Sequence, residues 1–310
     1  MKILDYIFFT RPVLFPPVWT IVILGVRAAD VGHGASPFET LGLGGVDQRF
    51  LLFMLAVTCV FGGVYTFNQI HDIESDRRNS KLFFLAEGMI SIPVAYIITA
   101  ILDIVALVCG YRLGRGIEIL FAAVVLFGIL YSHPLTNFKG RASKGYWTNS
   151  FGHGMVAFLI GWGLYNGITL EAAVTSLPYI FGVGAIYLNT TLPDAKGDAE
   201  AGKITHGVRW GPKKTTQASF FLVLLSCVFA QMVGDFAFLI AGVVSLPFFF
   251  VAYRTTRMPD VIRSTKVAVL ALTVFACIYL PPYTVLLVVG FLISRWYFRS
   301  RFDISYPSLT

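Results

Sequence analysis

The chain has 310 residues, of which 56% are hydrophobic and only 13% charged, about half the charged fraction usual in soluble domains. So little charge cannot cover a water-soluble globular protein of this size, and the composition equally excludes a disordered chain and a disulfide-stapled secreted module. What remains is a polytopic membrane protein, in which the net charge of +7 reflects Lys and Arg held in loops on one side of a bilayer, not nucleic-acid binding.

In chain order, nine apolar cores can be read at 12–26, 50–67, 90–109, 119–131, 151–165, 172–193, 218–233, 236–253 and 267–292. A span needs about 20 mostly apolar residues, so the shorter cores must borrow flanking residues. The runs are continuous rather than alternating, and an open sheet cannot span lipid, so the spans are helices. No connection is long enough for a soluble domain. The expectation is one all-α domain over 1–310, a polytopic bundle of about nine transmembrane helices.

Charge orients it. Seventeen Lys and Arg, among them Arg11, Arg77, Lys81, Lys139, Arg141 and Lys203, fall on the side of the N-terminus. Four, Arg27, Arg49, Arg112 and Arg115, fall on the other. The basic side is cytoplasmic by the positive-inside rule. Arg295, Arg299 and Arg301 follow the last core, and nine spans put them outside, against the rule. Pro281–Pro282 could split that core into a hairpin, but each half is short, so a single span is expected. The four cysteines all sit in apolar runs, without a CxxC pair, as small core residues.

Acidic residues cluster after the second and sixth cores, both on the basic side. Asn68, Asp72 and Asp76 are spaced i, i+4, i+8, so on a helix leaving the membrane they share one face. Like charges at that spacing repel, and a hard cation such as Mg²⁺ compensates, typically through a few carboxylates plus substrate phosphates. The second cluster repeats the design, with Asp194 and Asp198 at i, i+4 and Asn189 about one turn earlier. Two such clusters at one membrane face can hold Mg²⁺ and a diphosphate between them. GDAEAGK at 197–203 is close to a phosphate-binding loop, but Ile204 stands where its hydroxyl residue belongs and an apolar helix precedes it instead of a strand. Lys139 and Arg141, after the fourth core, add cations for diphosphate oxygens. Asp103, within the third core, is a candidate buried polar contact.

These motifs together resemble the UbiA-type intramembrane prenyltransferase superfamily. The resemblance rests on NxxxDxxxD from Asn68, DxxGDxxxGxxT from Asp194, the Tyr131-Ser-His-Pro134 loop with Lys139, and the Arg11-Pro12 pair. It implies a nine-helix bundle with a cytoplasm-facing pocket, and transfer of a polyprenyl group from its diphosphate to an aromatic or lipid acceptor in the bilayer. Metal ligands would be Asn68, Asp72, Asp76, Asp194 and Asp198. Lys139 would act with the aspartates in catalysis. Asn68, Arg77, Tyr131, Arg141, Asn189 and Lys203 would bind substrate. Tyr65, Phe67, Tyr131, Phe151, Tyr165 and Tyr187 are aromatics near the expected pocket or its walls, where ring faces can stabilise an allylic cation. The chain departs from the family at Gln69, where Asp is usual, and at Leu135 and Asn137, where Pro and Arg are common. Two other functions use the same features: a membrane terpene cyclase with this metal site, and a transporter whose acids mark an ion pathway.

Overall fold

A chain in lipid must satisfy its backbone polar groups internally, and the apolar runs accordingly become helices. The structure, a computed structural model, describes residues 2–31, 34, 36–41, 45–78 and 83–307; Lys81 lies outside them. Among the described residues there is no β-strand, and one isolated bridge joins Arg141 to Ile204.

Helix α1 (Lys2–Phe9) is separated from α2 (Phe15–Val31) by Arg11, in the left-handed region at φ 60°, and by a tight turn over Pro12–Leu14. Helix α3 (Gln48–Arg78) has 31 residues. At about 1.5 Å per residue it is roughly 46 Å long, against a hydrocarbon core of about 30 Å. Its last turns therefore project beyond the apolar layer, and they carry Asp72 and Asp76. The short α4 (Phe83–Ala86), then α5 (Ile92–Leu113) and α6 (Ile117–Ser132), pack against α3. Asp103 of α5 rests over Gly63 of α3, where a Cβ would collide with its carboxylate.

Helix α7 (Ala142–Asn149) continues through a π-helical stretch, Ser150–Val156, into α8 (Ala157–Trp162). This rod crosses α2 backbone to backbone. A Cβ at Gly25 would overlap the Phe158 carbonyl oxygen, and one at Gly161 would overlap that of Val22. Small residues at a crossing let membrane helices gain van der Waals contact where no hydrophobic drive exists. Then follow α9 (Leu170–Thr175), α10 (Leu177–Thr190), α11 (Ala195–Glu200) and α12 (His206–Val233), kinked at Gly211-Pro212. Helices α13 (Phe236–Thr255), α14 (Met258–Tyr279) and α15 (Pro281–Phe302) complete the bundle.

Among the described residues, seven helices are long and apolar enough to cross a membrane, and α6 is a shorter apolar helix. The helical membrane bundle is as expected, but the single last span is not. The core 267–292 is broken at Leu280, because prolines at 281 and 282 cannot donate to the preceding turn. Helix α14 ends where the Tyr279 hydroxyl donates to Asp30, at the far end of α2. Helix α15 then runs back: Tyr283 donates to the Pro16 carbonyl, and Tyr297 and Arg301 both bond Asp5 of α1. Arg295, Arg299 and Arg301 thus return to the face of the N-terminus, and the expected exception to the charge rule disappears.

This hairpin is testable by side-specific labelling in a variant without the natural cysteines. Arg299→Cys and Lys144→Cys should react with a membrane-impermeant maleimide from the same side of sealed vesicles, and Arg115→Cys from the other. Labelling of position 299 together with position 115 would restore the unbroken span.

Candidate active site

The projecting end of α3 faces the loops that follow α6 and surround α11. Asn68, Asp72 and Asp76 recur every four residues and so share a face, and that face lines a polar cavity of about 240 Å³. Tyr131 and Lys139 line it from the end of α6 and its loop, and Asp194, Asp198 and Lys203 line it from around α11. The two aspartate clusters and the loop lysine, far apart in sequence, therefore share one cavity.

Asp72 is its hub. Its Oδ1 lies 2.9 Å from Lys139 Nζ and 2.9 Å from Lys203 Nζ. Lys139 is 8% exposed, deeply enough that solvent screens the pair little. Burial pulls the Lys139 ammonium below its ordinary pKa, while the charge and hydrogen bond of Asp72 work to raise it. The two lysines belong to separate loops that the backbone ties together: the Ile204 N–H donates to the Gly140 carbonyl at 3.0 Å, beside the Arg141–Ile204 bridge. Asn68 Nδ2 donates to Ser132 Oγ at 3.1 Å, and the Tyr131 hydroxyl hydrogen-bonds with Asn149 and Tyr187.

Three expected residues stand elsewhere. Arg77 is exposed and pairs with Glu74 at 3.3 Å, because it sits about 100° round the helix from Asp76. Arg141 points to solvent and contributes its backbone to the bridge. Asn189 is buried at 1% exposure and donates to Ser264 of α14 at 3.0 Å. Its likeness to Asn68 fails because α10 ends at Thr190 and a turn breaks the register before Asp194. Conversely, Arg11, Thr190, Thr191 and Thr205 line the cavity without having been singled out for it. For Arg11 the signal was the proline after it, which disfavours a helical conformation at the preceding residue. Its left-handed backbone is of the kind that surrounding structure sustains at functional sites.

Deeper in the bundle lies a second cavity of about 210 Å³, mostly apolar, between α2, α10, α13 and α14. Tyr187 and Thr190 belong to the walls of both cavities. The π-helical turn begins beside Asn149 and contains His153, and both face this second space. The widened turn of a π-helix is common at functional sites.

The oxygen donors suit a hard cation. Among the described residues no three carboxylate, imidazole or thiol groups already converge as a closed metal site. Mg²⁺ does not need one, since it usually takes one or two carboxylates and completes its shell with substrate phosphates and water. Four carboxylates and no thiol or imidazole line this cavity, which fits that mode of binding.

Residues 21–273 match the UbiA prenyltransferase family. The chain belongs to that family. It is 29% identical over 256 residues to a digeranylgeranylglyceryl phosphate synthase of Methanococcoides burtonii, covering 79% of this chain and 87% of the relative. It is 23% identical over 198 residues to the bacteriochlorophyll synthase 34 kDa chain of Chloroflexus aurantiacus, covering 64% of this chain and 61% of that one. Its fold is that of a UbiA homologue from Archaeoglobus fulgidus bound to GPP and Mg²⁺, at a TM-score of 0.67 and 15% identity over 88% of this chain and 98% of the other. This UbiA-family protein is thus an integral-membrane prenyltransferase.

The backbone tie between the lysine loops yields a prediction. The Ile204 side chain is exposed at 57%, so Ile204→Ala should leave turnover unchanged. Ile204→Pro removes the N–H that reaches Gly140. One such hydrogen bond is worth about 1 kcal/mol, about fivefold, and kcat/KM for the prenyl donor should fall by at least that much. Equal kinetics in both variants would mean that the bridge does not position the lysines.

Proposed function

We propose that this prenyltransferase moves a polyprenyl group from its diphosphate to an acceptor in the bilayer, in a Mg²⁺-dependent reaction through an allylic cation. The observation that carries the reading is the meeting of four aspartates and three cations, Arg11, Lys139 and Lys203, in one polar cavity that abuts an apolar one. A prenyl diphosphate has the same two-part chemistry. Asp72, Asp76, Asp194 and Asp198, with Asn68, would hold Mg²⁺, which supplies charge stabilisation on the departing diphosphate. Lys139 and Lys203 donate to diphosphate oxygens that the metal does not take. Tyr187 stands where the cation would form, at the junction of the two cavities, with Tyr131 hydrogen-bonded to it from the polar one, and their rings would stabilise the cation. The apolar cavity receives the prenyl tail and keeps water from the cation.

For the acceptor we favour a lipid alcohol that carries a phosphate over an aromatic acid. Relatives named digeranylgeranylglyceryl phosphate synthase support this choice, and Arg11 provides a guanidinium suited to bidentate recognition of a phosphate. The transporter reading loses ground because the interior cavity is apolar and the acid clusters stand at one face of the bundle.

The test is diphosphate release by purified protein. Asp72→Asn and Asp198→Asn should each lower Mg²⁺-dependent turnover by at least about 10²-fold, the scale of one lost electrostatic stabiliser, with the variants still folded in detergent. Mass spectrometry should find the prenyl group on geranylgeranylglyceryl phosphate in preference to 4-hydroxybenzoate. Full turnover in excess chelator, or in both variants, would overturn the metal site. Preference for the aromatic acid would overturn the acceptor.

A further inference from the structure

The apolar cavity has a definite far end. On its site side it begins at Tyr187 and Thr190, shared with the polar cavity. At its other end stand Tyr179 and Phe238, with ring centroids 4.7 Å apart and planes at 67°. Tyr179 and Tyr187 lie on the same helix, eight residues apart, so the end wall is about 12 Å along the axis from the junction, at about 1.5 Å per residue.

That wall is braced. The Tyr179 hydroxyl donates to Asp235 Oδ2 at 2.7 Å, and Asp235 Oδ1 accepts the Phe238 backbone N–H at 3.0 Å as the cap of α13. One buried carboxylate, 6% exposed, thus fixes both members of the ring pair. Swinging Tyr179 aside would leave that carboxylate short of a partner in an apolar interior, at full desolvation cost. Small residues stand beside the wall, and Gly182 lets the Phe238 ring lie close against α10. A Cβ at Gly182 would lie 2.8 Å from the Phe238 ring, and Ala241 follows Phe238 by one turn on the lumen side of α13.

We propose that Tyr179 and Phe238 are the ruler of the donor, closing the tail channel and setting the longest prenyl chain that the bundle holds wholly inside. The proposal rests on the donor reading above. Because the wall is braced, a longer tail cannot push it back and must leave the channel sideways or bind with part of its length unburied. Selectivity is then steric and follows the residue at the wall.

The experiment measures kcat/KM for geranyl, farnesyl and geranylgeranyl diphosphates by diphosphate release with Mg²⁺, in wild type, Phe238→Ala and Ala241→Leu. One methylene in an apolar pocket discriminates by about tenfold or more. Phe238→Ala should therefore raise the ratio of longer to shorter donor by at least about tenfold, and Ala241→Leu should lower it by a similar factor. Phe238→Leu, which shortens the side chain while keeping it apolar, replaces the alanine variant if that one fails to fold. Ratios within about twofold of wild type in folded variants that still turn over geranyl diphosphate, or shifts in the opposite direction, would overturn the ruler. Turnover of no prenyl diphosphate by the wild type would overturn the donor reading itself, and the ruler with it.

Discussion

The site depends on one carboxylate, Asp72, 12% exposed, with two ammonium partners. Asp72 leaves the membrane on the overlong α3, and Lys139 and Lys203 reach it at 2.9 Å from two loops far apart in sequence. Burying such charges is costly, and only close pairing offsets the desolvation. Once formed, the triad converts that cost into order. Both lysines lose their rotamer freedom in the resting site, so a ligand that meets them there does not have to order them. The Gly140–Ile204 hydrogen bond fixes the same two loops through the backbone, so charge and backbone specify one arrangement.

Below this face the bundle separates polar from apolar chemistry by depth. Carboxylates and cations line the polar cavity at the projecting end of α3 and the loops beside it. The apolar cavity lies between α2, α10, α13 and α14, with Tyr179 and Phe238 at the end away from the polar one. Tyr187 and Thr190 mark the border between the two. A reaction that breaks a bond between a diphosphate and an allylic carbon needs a polar side for the leaving group and a dry side for the cation, and the border is where both are available.

Much of this was legible in the sequence because local periodicity carries it. Asn68, Asp72 and Asp76 could be assigned to one face because they lie on one uninterrupted helix. Asn189 could not be assigned by the same rule, since the end of α10 and the turn after it reset the register. Apolar length alone predicts one last span, but α15 ends at an arginine, Arg301, that anchors it to Asp5 of α1, and only the return of the chain reveals that partner. The meeting of Lys139 with Lys203 was hidden for a different reason. It is set by a backbone bridge between distant loops, which leaves no mark on side-chain pattern. The apolar cavity is a space that packing leaves between helices, and a sequence records the residues but not the gap.

The central claim is that both aspartate clusters and the lysines form one site that takes metal and diphosphate together. The most direct measurement is the dissociation constant of a non-hydrolysable prenyl thiolodiphosphate for the wild-type protein, by calorimetry without Mg²⁺ and at saturating Mg²⁺. Ligands that share a site and contact one another must be coupled, and the coupling is reciprocal. The account predicts that Mg²⁺ tightens the analogue by at least about tenfold, with the analogue tightening Mg²⁺ by the same factor. Equal affinity with and without Mg²⁺ would contradict it.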